Sequence, residues 1–409
     1  MFEHASKFSI EGVTIVTPDS VIRNGHLQIE DSQIAGISSS DYATENNYAY
    51  HDEEIFALPG IIDLHTDALE KEITPRPGAD FPIEIALQEL EARLLCCGIT
   101  TVYHSVHMGY KDSEDNSKSK IQREDIFNRT RQFAESGALV RTLLHLRLEV
   151  TGLYALPLVE KFLNKGILSL ISFMDHTPGQ GQYSRERFLQ DWQKRGFSEQ
   201  AATTILEERQ SRPKLSDEQI VTLIEIAQRL GIPTASHDDD TVEKVERMWD
   251  LGIEISEFPI TLEAAKAAKE IGMSTFGGAS NLLRGGSLTG NLSMHDAIEN
   301  DVLDGFCSDY YPPSILHSVF KVWRIGLKSL PEAVNMATLL PAKAGKIDHL
   351  TGSLEVGKIA DIILVRLKNG QPKVEAVYIE GKPVYRSTSR QETIEKANLN
   401  DPGPSLATV

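Results

Sequence analysis

A histidine and an aspartate two residues apart, His65 and Asp67, close an apolar, β-branched run from Ile55 to Leu64. In an extended strand, residues i and i+2 project to the same face, so the two side chains can grip one cation from a strand end. Imidazole with carboxylate suits Zn, Mn or Fe better than a soft copper site or an all-oxygen calcium site. One such pair is weak, because this spacing arises often by chance. Its weight comes from repetition: further strand-like segments end in Glu149, in Asp175 and His176, in His237, in Glu257 and in Asp309. Metal-ligand types recurring at strand ends point to a metal-dependent hydrolase.

A glutamate ending the third strand is accounted for if its carboxylate bridges two cations. With both cations in place the acids no longer repel one another, and a shared water becomes acidic enough to attack near neutral pH. Asp309, at the last strand end, is the choice to hold that water and take its proton. Other polar residues read as structural. His145, inside its strand, is expected to be a packed core histidine, and Met174 a packing residue. Asp239 and Asp240 are expected to cap a helix starting near Thr241. His104 and His107, ending the second strand, stay outside the ligand set.

The elements that must position these groups alternate. Strands are predicted at Ile55–Leu64, Ile99–His104, Leu139–Glu149, Leu168–Asp175, Ile232–His237, Ile253–Glu257, Ser274–Gly277 and Leu303–Asp309, with amphipathic segments between them. Ile83 to Cys97 is apolar at 83, 87, 90, 94 and 97 and stops at Gly98. A second helix, closing at Gly231, opens on Ser216 with Gln219 three residues later, a capping-box pattern. Eight strands with helices between them favour a (β/α)8 TIM-like barrel, where chemistry sits at the C-terminal strand ends. A doubly wound open sheet is the alternative, but no glycine-rich phosphate fingerprint follows the first strand. Short β-type runs at both ends of the chain predict a small β-sandwich domain built from both termini. The division is then 1–54 and 346–390 for the small domain, 55–345 for the barrel and 391–409 for a polar tail. Asp41 to Asn47 and Asp112 to Lys120 read as loops.

A formal charge of −18 without a basic run argues against sequence-independent binding to nucleic acid or anionic membrane. It leaves room for an anionic small substrate in a pocket made positive by metal and a few arginines. No apolar stretch reaches the ~18 residues a membrane span needs, and Met1-Phe2-Glu3-His4 lacks the basic-then-apolar order of a signal peptide. Three cysteines, of which Cys96 and Cys97 are adjacent, make no disulfide framework. Both are expected to be buried near a helix end, and Cys307 to lie in a strand. A reducing cytoplasm fits. A symmetric homodimer suits an enzyme of this size, although no residue marks an interface.

Leu58-Pro59-Gly60-Ile61-Ile62-Asp63-Leu64-His65 and the segment from Gly352 to Val365 resemble the amidohydrolase superfamily. Within it the chain more closely resembles the PhnM family of the phosphonate-degradation (carbon–phosphorus lyase) pathway. That likeness is carried by Leu64 to Lys71 with Thr74-Pro75-Arg76-Pro77-Gly78, by Ser172 to Gln180, by Ala235 to Asp239, by Gly277 to Asn281 through Ser287, and by Ser308-Asp309-Tyr310. It implies a barrel that uses one or two divalent ions (Zn, Mn or Fe) to hydrolyse α-D-ribose 1-methylphosphonate 5-triphosphate to the 5-phosphate and pyrophosphate. It also implies a metal site of His65, Asp67, Glu149, His176, His237 and Asp309. The chain departs from the superfamily pattern in three places. Asp67 replaces the usual second histidine, Glu149 stands in for a bridging lysine, and no histidine ends the sixth strand, which leaves His176 or Glu257 for that place.

A triphosphate and a phosphonate need cations, and Lys71, Arg76, Arg147 and Arg284 lie in or beside strand-end motifs. Glycines at Gly277-Gly278 and Gly285-Gly286 would let backbone N–H groups approach phosphate, with Gly278 and Gly285 as the expected contacts. Arg147 has a second reading, as an interior residue ion-paired to acids. The rival function is hydrolysis of a C–N bond in a cyclic amide or N-acyl substrate by the same metals. A third reading, from another class, is an inactive metal-stabilised scaffold, against which retention of Asp309 counts.

Overall fold

Alternation along the strands sets the layers of both sheets. In the computed structural model, which describes residues 7–39, 54–109, 122–179, 181, 184–287 and 290–387, the two ends of the chain meet in one seven-stranded sheet. Its strands are β1 (Lys7–Val16), β2 (Val21–Glu30), β3 (Gln33–Ser39) and β4 (Ile55–Pro59), followed late in the chain by β13 (Ile362–Lys368), β14 (Gln371–Ile379) and β15 (Lys382–Arg386), in the order β15-β14-β13-β4-β1-β2-β3. Ile15, Leu27, Ala57 and Ile362 face a small core of their own. Their neighbours Val16, Phe56, Leu58 and Ile363 turn the opposite way into the main core, as a period of two requires. The terminal domain is thereby fastened to the barrel. The polar loops at 41–47 and 112–120 and the tail at 391–409 lie outside the described residues.

Eight parallel strands follow one another around the barrel: β5 (Ile61–Thr66), β6 (Ile99–Met108), β7 (Arg141–Glu149), β8 (Leu170–Met174), β9 (Thr234–His237), β10 (Ile255–Glu257), β11 (Ser274–Gly278) and β12 (Gly305–Cys307). The run Ile55–Leu64, read from sequence as one strand, is two. It breaks at Gly60, which approaches Thr100 so closely that any Cβ would strike that side chain, and β4 pairs with β13 and β1 instead of the barrel. The barrel closes at the rim formed by the C-terminal strand ends. Asp309 N–H donates to the His65 carbonyl at 3.0 Å and Asp67 N–H donates to the Asp309 carbonyl at 2.6 Å, so first and last strand ends are stitched together.

Helices follow each strand: α1 (Ala68–Ile73) and α2 (Ile83–Cys96) after β5, α3 (Arg123–Glu135) after β6, α4 (Leu156–Asn164) after β7. After β8 come α5 (Arg185–Lys194), α6 (Glu199–Gln210) and α7 (Asp217–Arg229), then α8 (Val242–Asp250) after β9 and α9 (Leu262–Ile271) after β10. Around β12 lie α10 (Ala279–Arg284), α11 (Met294–Glu299), α12 (Ser314–Arg324), α13 (Leu330–Asn335) and α14 (Leu339–Ala344). The capping box at Ser216 and Gln219 forms as read, and Gly98 ends the α2 segment at φ 77, in the left-handed region that glycine adopts freely. Helix apolar faces and outward strand residues make the main core, while Ile62, Leu64, Tyr103, Leu170 and Phe276 fill the barrel interior. Cys97 and Cys307 are buried, but Cys96 is exposed, one helical step off the apolar face. Among the described residues no helix is long and apolar enough to cross a membrane.

Candidate metal centre

His65 is 1% exposed at the end of β5, with Nε2 3.7 Å from Asp67 Oδ1, the same-face pairing that i, i+2 spacing demands. Its Nδ1 lies 3.2 Å from Glu257 Oε2 at the end of β10. Parallel register places Glu257 beside His237 on β9, and the His65 and His237 rings sit 5.4 Å apart. His176 follows β8, bonds Glu149 at the end of β7, and presents Nε2 3.4 Å from Asp238 Oδ2. Asp238 is reached through a sharp turn at φ 55, a conformation aspartate tolerates, which brings its carboxylate 3.2 Å from His237 Nδ1. Two sets of ligand-type atoms result, His65–His237–Glu257 and His176–His237–Asp238, each within 4.8 Å of one another and sharing His237.

The charges balance locally. Burial raises the Asp67 carboxyl, but Arg147, which donates to it, and then His65 outweigh burial and hold it well below the usual carboxylate range. Burial likewise opposes ionisation of Glu257, yet His145 and His65 bring it down to about 2. Burial lowers the His65 imidazole, but Glu257 and Asp67 win and lift it to about 9. His176 also rises to about 9, since Asp238 and Glu149 outweigh its burial. Asp309 is pushed upward by burial and then by the neighbouring Asp67 charge. Raised imidazole pKa values thus let protonated His65 and His176 balance the buried acids beside them.

The donor set fits such a cation. Imidazole and carboxylate are the ligands of Zn, Mn and Fe, and Glu257 Oε1 is buried without a hydrogen-bond partner among the described residues. Uncompensated polar atoms of this kind are costly unless something else satisfies them.

His65, Asp67, Arg147, His176, His237, Gly278, Arg284 and Asp309 all line one cavity of about 310 Å³ at the C-terminal rim. Glu149 faces an adjoining cavity of about 260 Å³, which His176 also lines. Lys71 is exposed, its ammonium 4.4 Å over the Tyr310 ring at the edge of the first cavity. Arg76 lines neither cavity and stands exposed in the turn after α1. Gly285 departs from expectation: it ends α10 at φ 86, and its N–H bonds the Asn281 carbonyl at 3.1 Å instead of facing a ligand. Arg147 is interior and paired to Asp67, its second reading.

Asp239 and Asp240 do not cap α8. Thr241 does, accepting from Lys244 N–H at 3.2 Å. Asp239 instead accepts from the Ser236 and Ser256 hydroxyls beneath the site, and Asp240 accepts from Gly181 N–H at 3.1 Å. His145 is packed and bonded to Ser172 at 2.8 Å, as read, and Asp175 is held by Lys214 at 2.7 Å, away from the cluster. Sequence reasoning passed over Asp238, because a run of three aspartates before a helix looks like a cap and its left-handed φ leaves no trace in the sequence.

The sequence matches the profile of the Amidohydrolase family over residues 171–384. It is 33% identical over 382 residues to alpha-D-ribose 1-methylphosphonate 5-triphosphate diphosphatase of Escherichia coli, covering 92% of this chain and 100% of that protein. Solved structures share the fold. Dihydropyrimidinase from Brevibacillus agri superposes with a TM-score of 0.60 at 14% identity, covering 93% of this chain and 95% of that one. N-acetylglucosamine-6-phosphate deacetylase from Pasteurella multocida gives 0.59 at 14% identity, covering 93% and 100%.

Proposed function

The chain belongs to the amidohydrolase family, and from that premise we propose that it is a metal-dependent diphosphatase that releases pyrophosphate from a ribose 5-triphosphate bearing a phosphonate. The observation that carries the reading is the imidazole–carboxylate cluster at the barrel rim with guanidinium groups set directly against it. The likeness to the Escherichia coli diphosphatase along nearly the whole chain supports the same substrate class.

His65, Asp67 and His237 with Asp309 would hold one cation, and Glu149, His176 and Asp238 a second. A divalent cation supplies Lewis-acid polarisation of phosphoryl oxygens and lowers the pKa of a bound water. The chain's own groups do the rest. Glu257 accepts from His65 Nδ1 and so turns Nε2 toward Asp67, the usual way an outer carboxylate fixes an imidazole ligand. Arg284 meets substrate oxygens as a charged fork, while Arg147 neutralises Asp67. Asp309, its pKa raised and its backbone fixed by the closing hydrogen bonds of the barrel, takes the water proton. The water oxygen bonds to the α-phosphorus, the P–O bond from that phosphorus to the bridging oxygen breaks, and pyrophosphate leaves with the electron pair. C–N hydrolysis would use the same base but has no need of guanidinium-lined cavities.

The test is incubation of purified protein with Mn²⁺ or Zn²⁺ and a ribose 5-triphosphate, followed by ³¹P NMR. Pyrophosphate and 5-phosphate appearing in equal amounts is the expected result. Stepwise orthophosphate, or no phosphorus product while a cyclic amide is opened, would defeat the reading.

A further inference from the structure

The second cavity at the rim has a lining the motifs did not foreshadow. Between β8 and the barrel helix α7 the chain inserts α5 and α6, and Lys214, after α6, pairs at 2.7 Å with Asp175, just after β8. Arg187 and Asp191 on α5 and Arg195 at its C-cap fall four apart, and Phe188 and Trp192 run beside them, so this stretch lends all five to the cavity lining. Arg209 and Arg212, from the end of α6, complete the wall. Opposite them stand His176 and Glu149, the residues assigned above to a cation.

We propose that the cavity lined by Arg187, Arg195, Arg209 and Arg212 binds the terminal phosphates of a triphosphate, the part that departs as pyrophosphate, while the sugar and its phosphonate occupy the cavity of Arg284 and Tyr310. This rests on the diphosphatase reading and assigns its two ends.

Three observations favour that orientation. The acids in the arginine cavity are already committed: Glu149 bonds His176 and lies 3.5 Å from His107, and Asp191 lies 3.2 Å from Lys194 and 3.9 Å from Arg187. Arg212 is itself paired to Glu208 at 3.4 Å, and the four guanidinium groups outnumber the two carboxylates of the lining inside a chain of net charge −18. Arg209 lies over Phe188 and Trp192, 5.4 and 5.3 Å from their rings, and Arg195 lies 5.4 Å over Trp192. Stacking uses the face of a guanidinium, and its N–H edge is what pairs phosphate oxygens. The other cavity is mixed: Phe258, Ile260 and Leu292 give it an apolar wall suited to a sugar face and a methyl group, and its Arg147 is paired to Asp67. When the bridging P–O bond breaks, the electron pair passes to the pyrophosphate, so new charge develops where the guanidinium groups stand.

The test uses the metal-loaded protein and two probes, inorganic pyrophosphate and methylphosphonate, with binding measured by calorimetry. Arg195→Gln and Arg209→Gln should each weaken pyrophosphate about tenfold, the scale of one charge-assisted hydrogen bond, and leave methylphosphonate unchanged. Arg209→Lys, which keeps charge and loses the fork, should fall between wild type and Arg209→Gln. Arg195 is exposed, so its variant folds without disturbing the core. Unchanged pyrophosphate binding in both glutamine variants, or its loss in Arg284→Gln instead, overturns the assignment even if the wild type still releases pyrophosphate from a ribose 5-triphosphate. A wild type that releases none overturns the diphosphatase reading itself.

Discussion

Replacing Arg147 by glutamine asks whether a guanidinium occupies the electrostatic place of a metal at Asp67. Arg147 is 11% exposed and donates to Asp67, which is 23% exposed and has the Asp309 carboxyl for a neighbour. Breaking a buried pair by removing one partner costs about 3–5 kcal/mol, and the partial exposure of Asp67 puts this case at the low end, about 3. The unfolding entropy of 409 residues, at about 2.1 cal/mol/K each, is about 0.9 kcal/mol/K, so the metal-free variant should melt about 3–4 °C below wild type. With a divalent ion bound, Asp67 has another counter-charge, and the deficit should shrink by at least half. Differential scanning fluorimetry with chelator and then with Zn²⁺ or Mn²⁺ reads both numbers. An equal loss of Tm in the two states would show that Asp67 faces no cation, and the metal assignment at His65 and Asp67 would fall.

Asp309→Asn should lower kcat by about 10²–10⁴ while metal content by mass spectrometry stays near wild type, since a general base is removed and the other ligands remain; loss of metal in parallel would make Asp309 a ligand first. Glu257→Gln should weaken metal affinity about 10–100-fold by loosening the orientation of His65, read by competition with a chromophoric chelator; unchanged affinity would remove Glu257 from that role. Metal-free stability should peak near pH 6.5. Buried His104 and His145 are held down to about 4 and about 3, below 6.5, so the unfolded chain takes up their protons first and stability falls as pH drops from about 6.5. Asp63, raised by burial to about 6, and His65, at about 9, hold protons more tightly when folded. Their contributions are lost with rising pH, between 3.8 and about 6 and between 6.5 and about 9 respectively. Urea unfolding in chelator across pH 5 to 9 checks this, and stability climbing steadily from pH 6.5 to 9 would contradict it.

Much of the fold was legible along the chain. All eight barrel strands were located, because buried parallel strands are short apolar runs with polar punctuation, and eight of them with helices between favoured a barrel over a doubly wound sheet. The split at Gly60 was not legible, because β4 and β5 form one continuous apolar run and only the strands that pair with each half separate them. Local spacing exposed His65 with Asp67 and located the strand ends that carry Glu149, His176, His237, Glu257 and Asp309. The expectation that Gly285 meets a phosphate failed on a helix end, where a glycine with positive φ closes α10 instead.

By itself, the sequence determined which residue types stand at strand ends, since period two and the apolar run are local properties. Tertiary structure alone decided their pairing: that Glu257 serves His65, that Asp238 turns toward His176, and that Arg147 neutralises Asp67. It alone also brought the arginines on and just after α5 and α6 into one cavity with His176. These partners lie far apart in the chain, or depend on one left-handed φ, and no local pattern encodes a distance that exists only once the barrel has closed.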